Sequence, residues 1–109
     1  MSDLKYEPVL PATREELEVL LKSDSPETVA RALYAATKYE VDWSWVQDQC
    51  LKALTSPEVS VRWAAATCLG DLALLRRPLN VEAVVPALEA ATKDATIADP
   101  ASFSLSICS

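Results

Sequence analysis

Carboxylates are the side chains whose types and spacing in this sequence come closest to those of a catalytic site. Glu15 and Glu16 are adjacent, and Glu40 and Asp42 flank a predicted turn close to Asp48. Paired carboxylates can act as a general acid and a general base. In a first helical turn or at a helix cap, however, a carboxylate simply faces the positive end of the helix dipole or accepts free backbone N–H groups. We therefore interpret these acids as caps and solvated charges.

The three cysteines offer no better catalytic pattern. Cys50, Cys68 and Cys108 are odd in number and widely spaced, which fits neither a disulfide framework nor a CxxC motif. Cys50 and Cys68 fall on apolar faces of predicted helices, so we expect them to be small buried hydrophobic residues. The chain has no histidine and one glycine, which excludes His-based triads, His-containing metal motifs and a glycine-rich phosphate loop. We predict no catalytic residue, no metal site and no cofactor.

A negative net charge limits the partners that the chain can bind. Its 109 residues include sixteen acids and ten bases, which gives a net charge of −6. Nucleic acids and anionic membranes are bound by clusters of Lys and Arg, so we expect neither, whereas a protein with a basic surface fits. No apolar run approaches the roughly 20 residues that span a bilayer, and the first residues lack the apolar core of a signal peptide. We expect one cytoplasmic domain.

A series of predicted helices positions these residues. Thr13 and Glu16 have the spacing of a capping box, which starts a helix that ends near residue 22. Ser25-Pro26-Glu27 opens a second helix that runs to about residue 39, and Asp42 is the capping candidate of a third, over residues 43–54. Ahead of them, residues 1–12 contain two prolines and predict an extended N-terminal arm.

An internal echo then indicates a repeat. Ser56-Pro57-Glu58 repeats Ser25-Pro26-Glu27 31 residues later, as solenoid proteins do. The helix that this motif opens has a broad face of small apolar residues. Gly70 lies within it at a cost of about 1 kcal/mol relative to Ala, so it needs a packing reason or marks fraying. Asn80 is predicted to cap a fifth helix, which Pro86 should bend.

Two stretches of these helices resemble HEAT repeats. Residues 61–70, VRWAAATCLG, are similar to the second-helix signature of that family, with a Val-Arg pair, a run of small residues and Leu-Gly. Residues 82–88 resemble the kinked first helix of the next repeat. The resemblance covers roughly residues 13–94 and is to a small bacterial single-domain type. It implies an all-α fold, a short right-handed α-α superhelix of about two and a half helix pairs, in which second helices line the concave side and bind protein.

Residues 95–109 depart from the repeat pattern. Phe103, Leu105 and Ile107 alternate with serine, a period of two that predicts an irregular, extended tail. A repeat array normally closes with a capping element. Either this tail covers the open face of the fifth helix, or another copy of the chain does, which leaves open a homo-oligomer through the C-terminal face.

Aromatic side chains give the best hypothesis for a site. The predicted partner-binding residues are Arg31, Tyr34, Glu40, Trp43, Trp45, Arg62, Trp63, Thr67 and Asp71. Trp63 lies opposite the apolar line of its helix, so we expect it to be partly exposed on the concave side, and aromatic and Arg side chains are the usual anchors of interfaces. The alternative is that the rings fill gaps between repeats and that Arg62 pairs within the chain with Glu58, four residues earlier.

These features favour a non-catalytic protein–protein interaction module. A sharper expectation is an immunity or inhibitor protein for a basic toxin domain. The alternative is a nucleic-acid-acting enzyme on a HEAT-like scaffold, such as a relative of DNA glycosylases. That alternative requires a basic concave groove, and this chain has few bases with which to line one.

Overall fold

The computed structural model of the chain describes residues 13–39, 42–75 and 79–108, and these residues form six α-helices and no strand. The helices are α1 (Arg14–Leu21), α2 (Pro26–Tyr39), α3 (Trp43–Ala53), α4 (Val59–Leu74), α5 (Val81–Ala91) and α6 (Ala98–Cys108). The all-α class is therefore confirmed. The predicted N-terminal arm, residues 1–12, lies outside the described residues. Among the helices described, none is long and apolar enough to cross a membrane.

Capping side chains start the first three helices where the sequence predicts. At α1, the N–H of Glu16 donates to Oγ1 of Thr13 (3.2 Å) and the N–H of Thr13 donates to Oε1 of Glu16 (2.9 Å), which completes the capping box. The hydroxyl of Ser25 accepts the N–H of Thr28 at 3.3 Å. Asp42 caps α3 by accepting a backbone N–H of its first turn at 3.2 Å. Each cap satisfies donors that the helix itself leaves free.

The second Ser-Pro-Glu motif is used differently from the first. Pro26 is the first residue of α2, but α4 begins at Val59, two residues beyond Pro57, with Glu58 as its N-cap residue. In the turn before α4, the hydroxyl of Ser56 accepts the N–H of Glu58 at 3.1 Å. The echo in sequence therefore predicts the helix correctly and its start two residues too early.

The start of α5 is fixed by a long-range contact. Asn80 is its N-cap residue, as predicted, but its side chain makes no capping hydrogen bond. Instead its backbone N–H donates to Oε1 of the buried Gln47 of α3, at 2.7 Å. The helix continues through Pro86 to Ala91. The bend predicted at Pro86 stays a prediction.

The six helices pack as three successive pairs in two layers. The pairs are α1 with α2, α3 with α4, and α5 with α6, and α4 packs against both α2 and α6. The second helices of the pairs therefore form one layer and the first helices the other. Because α4 also contacts α3 and α5, it is packed on most of its sides, which explains its broad apolar surface. The HEAT-like superhelical fold is confirmed, with three helix pairs rather than two and a half.

The buried core follows α4 through the whole array. The largest side chains with almost no exposure are Leu17, Leu33, Val46, Leu69, Leu72, Val84, Leu88 and Ile97. Cys50 of α3 and Cys68 of α4 are buried among them, as predicted. The hydrogen bond with Cys68, together with burial, raises the pKa of the Cys50 thiol well above its ordinary value. Such a thiol is a packing group and a poor nucleophile.

The C-terminal segment corrects the predicted irregular tail, because residues 98–108 form the helix α6. This helix packs against α4 and α5, and the hydroxyl of Ser104 donates to the carbonyl of Ala66 at 2.6 Å. An extended tail would place Phe103, Leu105 and Ile107 on one face. In the helix Phe103 is 60% exposed while Leu105 packs against the core. The tail thus completes the third helix pair.

Gly70 marks the closest approach of α4 and α6. A Cβ atom at this position would lie 3.0 Å from Cβ and 3.2 Å from Cα of Ser104. Any side chain at residue 70 would therefore push α6 away from α4. The packing explanation for this glycine is confirmed, and fraying is not needed because the helix continues to Leu74.

Candidate functional site

Three of the predicted partner-binding residues meet where α2 and α4 lie side by side. Thr67, Cys68 and Asp71 of α4 all lie close enough to the hydroxyl of Tyr34, on α2, to act on its ionisation. Burial is the main cause that raises the pKa of Tyr34, with smaller contributions from Cys68 and Asp71. Thr67 and Asp71 are one helical turn apart, so they occupy the same side of α4.

Asp71 is a half-buried acid in an unusual setting. Burial raises the pKa of its carboxyl group, and no base among the described residues offsets that rise. A carboxylate that has lost part of its hydration is stabilised in its charged form when a cation approaches it. A basic side chain from another molecule would provide that cation.

Trp63 and Arg31 extend this group along the two helices. Trp63 lies one turn before Thr67 on α4 and is 43% exposed. Arg31 lies one turn before Tyr34 on α2 and is exposed. We call the surface formed by Arg31, Tyr34, Trp63, Thr67 and Asp71 the α2–α4 face. It belongs to the layer of second helices, which the resemblance assigns to the concave side.

Two exposed apolar residues of the same layer were missed by sequence reasoning. Leu74, at the end of α4, is 56% exposed, and Phe103 of α6 is 60% exposed. Leu74 follows Trp63 by three helical turns, so continuing the helical period along α4 would have found it. The sequence pattern does not single out Phe103, because its alternation with serine predicts an extended tail and not the helix α6.

The guanidinium of Arg62 is held by other residues of the same chain. Its NH1 donates to the carbonyl of Ser56 (2.8 Å) and its NH2 to Oγ1 of Thr96 (3.1 Å), while its Nε lies 3.2 Å from Oδ2 of Asp94. Its side chain is 16% exposed. The intramolecular role is therefore the one observed, and the acid is Asp94 of the following helix pair rather than the predicted Glu58.

Trp45 and Trp43 lie on α3, in the layer of first helices, and not on the α2–α4 face. The guanidinium of Arg14, from α1, is 4.2 Å from the ring centroid of Trp45, and this ring packs against the core. The arrangement matches the alternative in which the ring fills a gap between helix pairs. Trp43 is half-buried at the start of the same helix. The remaining predicted residue, Glu40, lies outside the described residues.

Two of the carboxylates considered for acid–base chemistry have structural roles. Glu16 completes the capping box of α1, and Asp42 caps α3 and also pairs with Arg14 at 3.1 Å. Asp48 is exposed on α3. Within the parts of the chain that the structure describes, no three His, Cys, Asp or Glu side chains come together as metal ligands.

The chain matches known proteins at the level of one repeat and of the whole fold. Residues 46–75, which include most of α3 and all of α4, match the family model of the HEAT repeat. This match and the two layers of helices fit a HEAT-like repeat protein.

One solved structure carries the likeness across the full length. The chain is similar to a chain in the crystal structure of a CDI complex from Cupriavidus taiwanensis LMG 19424, with 28% identity and a TM-score of 0.81. The alignment covers 97% of this chain and 96% of that one. No curated protein sequence matches the chain.

Proposed function

We propose that this chain is a non-catalytic protein-interaction module, and more sharply an immunity protein that binds a basic toxin domain in the cytoplasm. The observation that carries the proposal is the likeness to a chain of a CDI complex, a toxin–immunity assembly. Because that likeness covers 97% and 96% of the two chains, it concerns the whole array of helices and not one common repeat.

The composition supports the immunity side of such a pair. A toxin that acts on nucleic acid needs a basic groove and groups for acid–base or metal chemistry. This chain has a net charge of −6 and no histidine. An acidic protein is suited to meet a basic domain, since opposite charges speed the encounter of two proteins and select against wrong partners.

The α2–α4 face supplies the features that an interface of this kind needs. Trp63 offers a large exposed ring, and Tyr34 of the neighbouring helix lies near Thr67 and Asp71 of the same face. Asp71 offers a partly desolvated carboxylate, whose charged form a cation of the partner would stabilise. Trp and Tyr are among the residue types that are enriched at interface hot spots.

Capture of the partner from the native cell tests this proposal. The wild-type chain, Trp63→Ala and the control Val19→Ala serve as tagged baits, the control removing an exposed apolar group from α1 in the other layer. We expect a basic protein on the wild-type and control baits and at least about a tenfold loss on Trp63→Ala, as for an interface anchor. The captured protein, expressed alone, should arrest growth, and co-expression of this chain should restore it.

Four results would contradict the proposal or one of its parts. Equal capture by Trp63→Ala would remove the α2–α4 face from the interface. A captured partner that does not inhibit growth would remove the immunity role. A DNA mobility shift at low salt with a steep salt dependence would favour the nucleic-acid alternative instead. Loss of the helical circular dichroism signal in Trp63→Ala would assign Trp63 to the core.

A further inference from the structure

A cleft of about 330 Å³ opens where the first two helix pairs meet. Its apolar lining comes from all four helices and consists of Leu21, Pro26, Val29, Leu33, Ala53 and Val61. Leu33 and Val61 are buried, so they form the floor. A volume of this size is at the lower end of the range for ligand pockets, and it suits one long side chain.

The rim of this cleft carries charges that no ion pair between described residues neutralises. Asp24 comes from the loop between α1 and α2, Lys52 from the end of α3, and Glu58 from the start of α4. All three are exposed, and no ion pair between described residues involves them. Two acids and one base leave the rim negative.

The wall on the α3–α4 side is held in place before anything binds. Arg62 donates to the carbonyl of Ser56 at 2.8 Å, and the hydroxyl of Ser56 accepts the N–H of Glu58 at 3.1 Å. The hydroxyl of Thr55 donates to the carbonyl of Lys52 at 2.7 Å. A fixed wall reduces the ordering cost that binding would otherwise include.

We propose that this cleft takes an arginine side chain of the partner protein. The aliphatic stem would cover Val29 and Leu33, and the guanidinium would meet Asp24 and Glu58. Arginine combines an apolar stem with a planar cation that suits carboxylates, which matches an apolar floor under a negative rim. That the arginine belongs to a partner protein rests on the proposed function. The affinity of the cleft for an arginine side chain can be tested without the partner.

The test is an NMR titration of the ¹⁵N-labelled chain with N-acetyl-arginine amide. We expect saturable shifts at the amides of Lys52, Ala53 and Val61, with a dissociation constant on the order of 1 mM for so small a ligand. N-acetyl-norleucine amide, which has the stem without the cation, should bind at least about threefold more weakly. The double variant Asp24→Asn/Glu58→Gln should weaken arginine amide binding by a similar factor, and Lys52→Gln should strengthen it.

Two substitutions far from the cleft serve as controls. Glu89→Gln and Lys93→Gln change exposed charges in and just after α5, away from the cleft, and should leave binding unchanged. Equal binding of the norleucine amide, weaker binding in Lys52→Gln, or no saturation would overturn the proposal. Arginine amide binding without capture of a basic partner would leave the cleft intact and reject the proposed function. Capture through Trp63 without binding of the probe would reject the cleft alone.

Discussion

At the scale of single residues, Arg62 shows what sequence spacing can and cannot find. Its intramolecular role follows from the resemblance, and the acid four residues back, Glu58, is the partner that helical spacing offers. The acid that it meets is Asp94, which belongs to the next helix pair. Hydrogen bonds from Thr96, reinforced by Arg62, lower the pKa of Asp94. Pairing across repeats depends on how the helices stack, and no local spacing rule contains that information.

Asp71 provides a prediction that separates stability from binding. Burial raises the pKa of its carboxyl group, so the folded state keeps the proton to a higher pH than the unfolded state does. Stability therefore falls as pH rises from the ordinary Asp value, about 4, through the raised one. We expect Asp71→Asn to melt at a higher temperature than the wild type at pH 7, and the difference to vanish below about pH 4.

The same substitution should weaken binding of the basic partner, because it removes the charge that an incoming cation would meet. Asp48→Asn, at an exposed acid of α3, is the control and should change neither property. Thermal melts followed by circular dichroism across pH, together with titration calorimetry of the captured partner, measure both effects. A lower melting temperature for Asp71→Asn at pH 7 would mean that a structural partner holds this carboxylate.

At the scale of elements, the helix starts were largely predictable and the last helix was not. Thr13, Ser25 and Asp42 cap helices by contacts within a few residues, which sequence spacing detects. In α6, Pro100 occupies the first helical turn, where its missing N–H has no cost. The hydroxyl of Ser104 finds its acceptor on α4, at the carbonyl of Ala66. The alternation of apolar residues with serine predicts an extended segment, because the acceptor that Ser104 uses in the helix is distant in sequence and no local pattern reveals it.

A pair of substitutions in α6 distinguishes a helix from an extended tail. In the helix Leu105 packs against the core, whereas Phe103 is 60% exposed. We expect Leu105→Ala to lower the free energy of unfolding by about 2 kcal/mol and Phe103→Ala to change it by less than about 0.5 kcal/mol. Urea denaturation of both variants measures the difference. Similar losses would place the two side chains on one face, as an extended segment requires.

At the scale of the whole molecule, the layering of the helices decides which predicted site residues come together. Helical period groups Trp63, Thr67 and Asp71 on α4, and stacking of equivalent helices brings Tyr34 beside them. Trp45 is equally aromatic but lies in the other layer, stacked with Arg14. Composition alone does not distinguish an aromatic anchor from a gap-filling ring. The distinction requires knowing which layer carries each helix.

The three tryptophans can show directly whether the layer of second helices binds a basic partner. Each gives its own indole N–H signal in a ¹H–¹⁵N spectrum, so one titration with the captured protein reports on both layers. We expect the Trp63 signal to shift or broaden at saturation while the Trp43 and Trp45 signals stay unchanged. An unchanged Trp63 signal, with a shift at Trp43 or Trp45, would place the partner on the layer of first helices instead.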